Sequence, residues 1–310
     1  MRIVLSDKSL AGFPFPADVE VRRTSLKGMS AFDGNPDVVA IAGSRAMAQK
    51  AAGMDLPGLK LYQLTSAGFD GVPCDAFREK GVDVANAGSV YSAPIAETVV
   101  FGMLYMAKRL HHNPNNRRLK LQRGYAQITE IAGKKILVMG AGNIGTAIAS
   151  RLQGFEAQVD GYDPFCPEKP EYTKMLRSKE ALLEALGEYD YIISTLPDNE
   201  QTQGFINAQL FAAMKSTAII VNVGRKAVFH QKDFYQALKT KRIGGAVLDM
   251  FEKLPNPITN PFRRLSNVVV LPGVAAISRE VNERLKAHMY RNLCACLNGE
   301  TIQNVINKKV

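Results

Sequence analysis

The stretch Gly140-Ala-Gly-Asn-Ile-Gly145 decides the fold of this chain. It follows the apolar run Lys135–Met139 and opens a helical pattern over Ile144–Leu152. Strand, glycine turn and helix in this order form the signature of a dinucleotide-binding unit, in which the helix N-terminus faces the phosphates. The first glycine makes the turn, the second admits a pyrophosphate, and the third permits close helix–strand packing. The cofactor contacts expected here are Gly140, Gly142, Asn143, Ile144 and Gly145.

An acidic residue ends the next predicted strand. The run Gln158–Tyr162 is followed by Asp163, whose carboxylate would accept hydrogen bonds from the adenosine ribose hydroxyls. Because a carboxylate at this position repels a 2′-phosphate, the sequence predicts NAD rather than NADP as the cofactor. The alternative is that Asp163-Pro164 is only a turn, since both residue types favour turns.

Length and composition favour a cytoplasmic protein of two domains without a structural metal. The chain has 310 residues, which exceeds one typical domain, and its N-terminal run Met1–Leu5 is strand-like rather than a signal peptide. No apolar run approaches the roughly 20 residues of a membrane span. The scattered thiols lack metal-ligand spacing and are typical of a reducing compartment. They are Cys74, Cys166, Cys294 and Cys296.

The chain is strongly basic. Lys and Arg number 39 against 29 Asp and Glu, which gives a net charge of +10 and favours anionic ligands. The densest cluster, Asn116-Arg-Arg-Leu-Lys120 with Arg123 nearby, contains no interleaved aromatic residue and no nucleic-acid-binding motif. We interpret it as a solvated basic loop, so nucleic acid is not an expected partner.

Short β-rich runs alternate with helical patterns throughout the chain. Such alternation predicts parallel sheets covered by helices on both faces, and about eleven strands are many for one sheet. The sequence therefore predicts an α/β protein with two Rossmann-like or flavodoxin-like parallel-sheet domains. The runs are Arg2–Leu5, Val19–Arg23, Asp37–Ala42, Leu59–Leu64, Val82–Ala85, Lys135–Met139, Gln158–Tyr162, Tyr189–Thr195, Ala218–Val223, Gly245–Leu248 and Val268–Leu271.

The position of the glycine turn indicates that a complete domain precedes it, because a nucleotide domain normally begins with the strand before that turn. The helical pattern Ala93–Leu110 is the expected crossing element, and the amphipathic pattern Ser278–Leu297 would return to the first domain. We predict a substrate domain of residues 1–92 plus 279–310 and an NAD-binding Rossmann domain of residues 93–278. A ligand cleft is expected between them.

With these elements placed, the chain resembles the D-isomer-specific 2-hydroxyacid dehydrogenases, which include phosphoglycerate, glycerate, D-lactate and formate dehydrogenases. The resemblance covers nearly the whole chain and implies an NAD-dependent oxidoreductase that acts as a homodimer on a small 2-hydroxy or 2-oxo acid. The matching motifs are Thr65-Ser-Ala-Gly-Phe-Asp70, Asn86-Ala-Gly-Ser89, Ala93-Pro-Ile-Ala-Glu-Thr98, Ser194-Thr-Leu-Pro197 with Gln201-Thr202, Asn222-Val-Gly-Arg225 and Gly245-Ala-Val-Leu-Asp249.

The resemblance also assigns roles to residues. Arg225 would be the catalytic arginine, because a guanidinium fork can hold a carboxylate and polarise the neighbouring carbonyl. Asp249 would contact the nicotinamide carboxamide. The implied substrate-binding residues are Ser66, Ala67, Gly68 and Tyr91. The further implied cofactor contacts are Thr195, Leu196, Pro197, Thr202, Val223, Gly224, Arg225, Asp249 and Gly273.

The chain departs from the family at its acid–base pair. The family's general acid is a histidine after the last strand, and the chain has Gly273 at that position. The glutamate that orients this histidine would stand at the position of Leu254. Because a positioned general acid contributes about 10²–10⁴ in rate, we expect weaker turnover than the family shows.

Two functions therefore stay open. One is a dehydrogenase whose proton donor is a trapped water, Tyr91 or Lys226, since a tyrosine or lysine with a shifted pKa can transfer protons. The other is a catalytically degenerate protein that binds NAD(H) or a carboxylate as a regulator. Gly273 and Leu254 favour the second, whereas the carboxylate loop and Arg225 favour the first. The histidines are expected to be structural or exposed; they are His111, His112, His230 and His288.

Overall fold

The computed structural model describes residues 1–110, 128–249 and 259–308. The chain divides into two compact units, one formed by Met1–Tyr91 with Ser278–Val310 and the other by Ser92–Ile277. The predicted basic loop with its neighbours His111 and His112 lies outside the described residues, and so does Leu254.

The first unit contains a five-stranded parallel sheet in the order β2-β1-β3-β4-β5, which is the flavodoxin-like order. Its strands are β1 (Arg2–Ser6), β2 (Val19–Arg23), β3 (Val38–Gly43), β4 (Leu61–Leu64) and β5 (Asp83–Ala85). Its helices are α1 (Arg45–Ala52), α2 (Cys74–Glu79) and α8 (Arg279–Asn298).

Both faces of this sheet are covered. Successive side chains of a strand point to opposite faces, so Leu5 and Tyr62 belong to one hydrophobic cluster while Val4 and Leu61 belong to the other. Helix α8 contributes Met289 to the second cluster, although it is separated from the strands by most of the sequence. Burial on both faces explains why these strands read as continuous apolar runs.

The second unit contains a seven-stranded parallel sheet in the order β12-β11-β10-β9-β6-β7-β8. Its strands are β6 (Lys135–Met139), β7 (Gln158–Tyr162), β8 (Met175–Leu176), β9 (Tyr191–Ser194), β10 (Ile219–Asn222), β11 (Gly245–Leu248) and β12 (Val268–Val270). Its helices are α3 (Ser92–Ala107), α4 (Asn143–Gln153), α5 (Lys179–Ala185), α6 (Ala208–Ala213) and α7 (Gln231–Lys239). Strand β6 lies between β7 and β9, so the chain adds strands first on one side of β6 and then on the other. Ligands of such sheets bind at the carboxyl ends of the strands at this switch point.

The predicted fold class of two parallel α/β sheets is confirmed, and each predicted β-rich run coincides with a strand to within a few residues. Strand β8 was not predicted, because Met175–Leu176 is too short to produce an alternating pattern and pairs only with the end of β7. No helix in the described ranges combines the length and apolarity needed to span a bilayer. Among the same residues, no group of acidic, histidine or cysteine side chains could hold a metal ion.

Candidate dinucleotide and carboxylate sites

The glycine turn connects β6 to α4 and cannot be built without two of its glycines. Gly140 has a φ of +96°, in the left-handed region that favours glycine. Gly145 packs against the turn so closely that an added Cβ would lie 2.0 Å from the carbonyl oxygen of Gly140. Backbone conformation therefore requires the first glycine, and close helix–strand packing requires the third.

Gly142 serves a different purpose, because it faces open space. A Cβ added to Gly142 would have no other protein atom within 4 Å. The N–H groups of Gly142, Asn143 and Ile144 donate to no acceptor in the described part of the chain. Open backbone with unpaired donors at a helix N-terminus suits a pyrophosphate, so the residues present fit a dinucleotide.

The Asp163 carboxylate links the end of β7 to the glycine turn. Its Oδ2 accepts the N–H of Ala141 at 3.0 Å, and its Oδ1 accepts those of Phe165 and Cys166 at 3.0 and 3.1 Å. The bonds to Phe165 and Cys166 form a turn at Asp163-Pro164, and the bond to Ala141 holds the carboxylate beside the glycine turn. Each carboxylate oxygen can accept more than one hydrogen bond, so acceptor capacity remains for ribose hydroxyls.

Two cations hold the loop after Asp163. Lys169 Nζ donates to the carbonyl oxygen of Ala141 at 2.6 Å and to Thr146 Oγ1 at 2.9 Å. Arg177 donates to the carbonyl oxygens of Asp163 and Cys166 and pairs with Glu168. The roles of Lys169 and Arg177 were not predicted from the sequence. Lys169 contacts residues more than twenty positions away along the chain, and such contacts leave no local sequence pattern.

The segment after β9 lies against the glycine turn. Thr195 Oγ1 donates to the carbonyl oxygens of Met139 and Gly140, at 3.1 and 2.8 Å. Leu196 is buried, and Thr202 Oγ1 donates to the carbonyl oxygen of Pro197 at 2.6 Å. The structure therefore gathers this predicted cofactor-binding segment and the glycine turn at one end of the sheet.

Arg225 follows β10 at the same end of the sheet. The side chain of Asn222 accepts the N–H of Gly224 at 3.1 Å, which shapes the turn that carries the arginine. Gly224 approaches the neighbouring segment so closely that an added Cβ would lie 3.0 Å from the carbonyl oxygen of Leu196. Val223 is buried, whereas Arg225 is half-buried and donates from Nη1 to the carbonyl oxygen of Gly224 at 3.2 Å.

Asp249 directly follows β11 and is only 3% exposed. Its carboxylate accepts the N–H groups of Val274 and Ala275 at 3.0 and 3.1 Å, which fixes the loop after β12. In this loop Gly273 has a φ of +77°. The residue at the family histidine position therefore lacks a proton donor and also adopts a conformation that side-chain-bearing residues rarely adopt.

Replacing Gly273 with Ala is expected to destabilise the protein, because a left-handed backbone costs a residue with a Cβ roughly 1–2 kcal/mol. A loss of about 1 kcal/mol should lower the midpoint of thermal unfolding by roughly 2–4 °C. The control is Gly154→Ala, at a φ of −66° with the nearest atom to an added Cβ 3.6 Å away. Unfolding of Gly273→Ala at the wild-type temperature would contradict the expectation.

The loop after β4 is the candidate carboxylate site of the first unit. All four carbonyl oxygens from Thr65 to Gly68 accept hydrogen bonds from protein donors, which turns them away from solvent. The four bonds are Tyr91 Oη to Thr65 O (2.5 Å), Ala87 N to Ser66 O (3.0 Å), Asn86 Nδ2 to Ala67 O (2.8 Å) and Ser66 Oγ to Gly68 O (2.7 Å).

The backbone N–H groups of this loop differ from its carbonyl oxygens, because three of them have no partner in the described part of the protein. Within the described residues, the N–H groups of Ser66, Ala67 and Gly68 donate to no protein acceptor, and the three residues are only half-buried. Successive unpaired backbone N–H groups form a concavity that favours anions. The predicted substrate-binding segment therefore has the donor arrangement that a carboxylate requires.

The candidate proton donors differ in chemistry. Burial, reinforced by the charge of Asp7, raises the pKa of Tyr91, and its hydroxyl proton is already donated to Thr65. A phenol in this state is a weaker acid than an ordinary tyrosine. Lys226 directly follows Arg225 and is half-buried.

The two histidines in the described ranges lie in different surroundings. His230 Nδ1 lies 2.9 Å from Asp233 Oδ2, and 54% of its side chain is exposed. His288 is buried in the first unit, where its Nε2 lies 3.0 Å from the carbonyl oxygen of Asn86. Neither geometry points to a catalytic role in proton transfer to the proposed substrate.

Comparison with known proteins identifies the family. Residues 100–275 match the model of the D-isomer specific 2-hydroxyacid dehydrogenase, NAD binding domain. The chain belongs to this family of NAD(P)-dependent dehydrogenases and reductases, which confirms the family and the class of cofactor predicted from the sequence.

Individual relatives support the assignment. The chain is 32% identical over 276 residues to glyoxylate/hydroxypyruvate reductase B of Pectobacterium carotovorum subsp. carotovorum (strain PC1), covering 87% of this chain and 86% of the relative. It is 30% identical over 250 residues to D-3-phosphoglycerate dehydrogenase of Methanocaldococcus jannaschii, covering 80% of this chain but only 48% of that longer protein. A glyoxylate reductase from Paecilomyes thermophila shares the fold, with a TM-score of 0.82 and 20% identity over 99% of both chains.

Proposed function

We propose that this protein is an NAD-dependent oxidoreductase that transfers hydride between NAD(H) and a small 2-hydroxy or 2-oxo acid, such as glycerate or hydroxypyruvate. The observation that carries the proposal is the loop Ser66–Gly68, whose carbonyls are bonded to the protein and whose amides are not. This loop supplies donors for a carboxylate, which a protein that only binds a cofactor does not need. The name of the Pectobacterium relative refers to the same class of acid.

Each part of the proposed reaction has a group in the chain. The amides of Ser66–Gly68 hold the substrate carboxylate, and the guanidinium of Arg225 polarises the 2-oxo group and stabilises the negative charge that develops on its oxygen. The turn at Gly142 and the N-terminus of α4 hold the pyrophosphate. Bound NADH supplies the hydride.

The proton must come from a group other than the family histidine, because Gly273 stands at that position. This leaves a trapped water or Lys226 for the role, because the pKa of Tyr91 is raised and its hydroxyl already donates to the carbonyl oxygen of Thr65. Without a positioned general acid we expect a rate about 10²–10⁴ below that of an enzyme that has one.

The second candidate function is a catalytically degenerate protein that binds NAD(H) or a carboxylate as a regulator. The conformation of Gly273, fixed through Asp249, favours it, because the loop is built around glycine. Titration with NADH followed by glyoxylate, hydroxypyruvate and pyruvate separates the two functions. NADH binding with oxidation supports the enzyme, whereas binding without oxidation by any of the three acids supports the regulator.

We further propose NAD as the cofactor rather than NADP, because the Asp163 carboxylate repels a 2′-phosphate. Asp163→Asn removes the charge and one of the two acceptor oxygens, and its single oxygen can still accept the N–H groups of Phe165 and Cys166. The ratio of the affinity for NADPH to that for NADH should therefore rise about tenfold, as measured by fluorescence titration. Glu168→Gln is the control, since Glu168 is an exposed acid in the same loop, paired with Arg177. An unchanged preference in Asp163→Asn would show that this carboxylate does not select the cofactor.

We also propose that the protein is a cytoplasmic homodimer. Its four cysteines are free thiols, which is typical of a reducing compartment. The assembly is checked by light scattering coupled to gel filtration.

A further inference from the structure

The direction of each amide in the loop Ser66–Gly68 is set by the carbonyl before it. A trans peptide is planar, so its N–H points opposite to the C=O of the same peptide unit. The hydrogen bond to Thr65 O therefore orients the N–H of Ser66, and the bond to Ser66 O orients the N–H of Ala67. The bond to Ala67 O orients the N–H of Gly68 in the same way.

The donors of these three bonds all come from one short segment, Asn86–Tyr91. Tyr91 Oη bonds Thr65 O, the Ala87 N–H bonds Ser66 O, and Asn86 Nδ2 bonds Ala67 O. This segment therefore acts as a template for the direction of three amides. Without these bonds each peptide could rotate toward another acceptor, since an unpaired donor is costly where water is partly excluded.

Asn86 is itself held by polar side chains from the interior of the first unit. Its carbonyl oxygen lies 3.0 Å from His288 Nε2 and accepts Gln63 Nε2 at 3.1 Å. Its side-chain Oδ1 accepts the N–H of Gly88 at 2.9 Å, which leaves Nδ2 directed at Ala67. His288 therefore carries its proton on Nε2 in the neutral form, and burial lowers its pKa so that this form is favoured.

Gln63, which donates to Asn86, is in turn held by Asn292. Asn292 Nδ2 donates to Gln63 Oε1 at 2.6 Å, and Gln63 and Asn292 are 0% and 1% exposed. Both Asn292 and His288 belong to α8, which comes from the far end of the sequence. Buried polar side chains that satisfy one another fix a single geometry, because each lost bond would leave an unpaired buried group.

We propose that Asn86 and Tyr91 are positioning residues for substrate binding, which orient the amides of the carboxylate loop, and that Gln63 and His288 fix Asn86 for this purpose. The inference rests on the proposed function of the loop. It assigns Tyr91 a role in orienting Ser66, in place of proton transfer or direct contact with substrate.

The test measures KM and kcat for hydroxypyruvate, and the Kd for NADH, in single variants. Tyr91→Phe removes one bond to the loop, so KM should rise about 3–10-fold. Asn86→Asp replaces the donor to Ala67 with an acceptor facing a carbonyl, so KM should rise about 10–100-fold. In both variants kcat and the Kd for NADH should stay close to wild type, because the lost interaction binds ground state and transition state equally.

Matched controls separate positioning from general destabilisation. Tyr290→Phe removes a hydroxyl that donates to the carbonyl oxygen of Pro14 in the same unit, and not to the loop, and should leave KM unchanged. Asn35→Asp makes the same amide-to-acid change at a side chain whose Oδ1 accepts the N–H of Asp37, and should also be silent. His288→Gln retains a donor for Asn86 and should lie closer to wild-type KM than His288→Leu does.

The outcomes distinguish this inference from the proposed function. Where the wild type turns over hydroxypyruvate, an unchanged KM in both Tyr91→Phe and Asn86→Asp overturns the inference and leaves the function standing. A fall of kcat with unchanged KM in Tyr91→Phe would make Tyr91 part of the chemistry and also overturn it. If the wild type does not reduce hydroxypyruvate, the proposed oxidoreductase function fails. The Kd for oxamate, a non-reducible 2-oxo acid analogue, then replaces KM in the same variants, and an unchanged Kd overturns the inference. If the wild type does not bind oxamate either, the inference fails with the function.

Discussion

Gly142→Val should weaken NADH binding strongly while the protein remains folded. The space above Gly142 contains no protein atom that an added Cβ would meet, so the new side chain is accommodated in the free protein. The same space is where the pyrophosphate would approach the backbone N–H groups. We expect the Kd for NADH, measured by fluorescence titration, to rise by at least about 100-fold, equivalent to about 2.8 kcal/mol of lost binding.

Two further glycines serve as controls for this variant. In Gly145→Ala the new Cβ would lie 2.0 Å from the carbonyl oxygen of Gly140, so both thermal stability and NADH binding should fall. In Gly154→Ala, at the other end of α4, neither should fall. Wild-type affinity for NADH in Gly142→Val would contradict the assignment of this turn as the pyrophosphate site.

Arg225→Gln should lower kcat/KM for hydroxypyruvate by about 10²–10³, because one preorganised donor to a developing negative charge typically contributes that much. The Kd for NADH should change little. Arg225→Lys should recover only part of the loss, since an ammonium cannot reproduce the planar fork. Steady-state kinetics with NADH, together with a direct NADH titration, measure both quantities.

The neighbouring residue provides the comparison. Lys226→Met should lower kcat and alter its pH dependence if Lys226 is the proton donor, and should leave both unchanged if a water is. In either case kcat/KM should fall in Arg225→Gln. Equal kcat/KM in Arg225→Gln and the wild type would remove Arg225 from the mechanism.

The fold was predictable because its determinants are local in sequence. The glycine turn between β6 and α4 and the apolar runs of the strands each occupy a few consecutive residues. Strand β8 was missed because two residues form no pattern, and because its pairing with β7 depends on the tertiary fold. The periodicity of apolar residues shows which face of a segment is buried. Whether a short segment pairs at the edge of a sheet depends instead on the strand beside it in the folded protein.

The candidate sites were predictable only in part. The resemblance located the loop Thr65–Asp70, but it gave no information on the bonds that turn its carbonyls inward. Those bonds come from Asn86–Tyr91, and the support of Asn86 comes from α8, more than two hundred residues away in sequence. Contacts of this kind are specified by the folded chain and leave no motif.

The backbone conformation of Gly273 could not be predicted from the sequence either. The sequence identifies a missing histidine at this position, and the structure adds a left-handed backbone fixed by Asp249. A His introduced at residue 273 would therefore meet backbone strain of roughly 1–2 kcal/mol before it could act as an acid. Restoring the family residue alone is not expected to restore family turnover.

The decisive measurement for a dehydrogenase function is the oxidation of NADH by the wild-type protein in the presence of hydroxypyruvate, followed by absorbance. We expect saturable NADH binding and slow oxidation that depends on hydroxypyruvate and is lost in Arg225→Gln. Saturable NADH binding with no oxidation by hydroxypyruvate, glyoxylate or pyruvate would contradict the dehydrogenase function and leave the regulatory one.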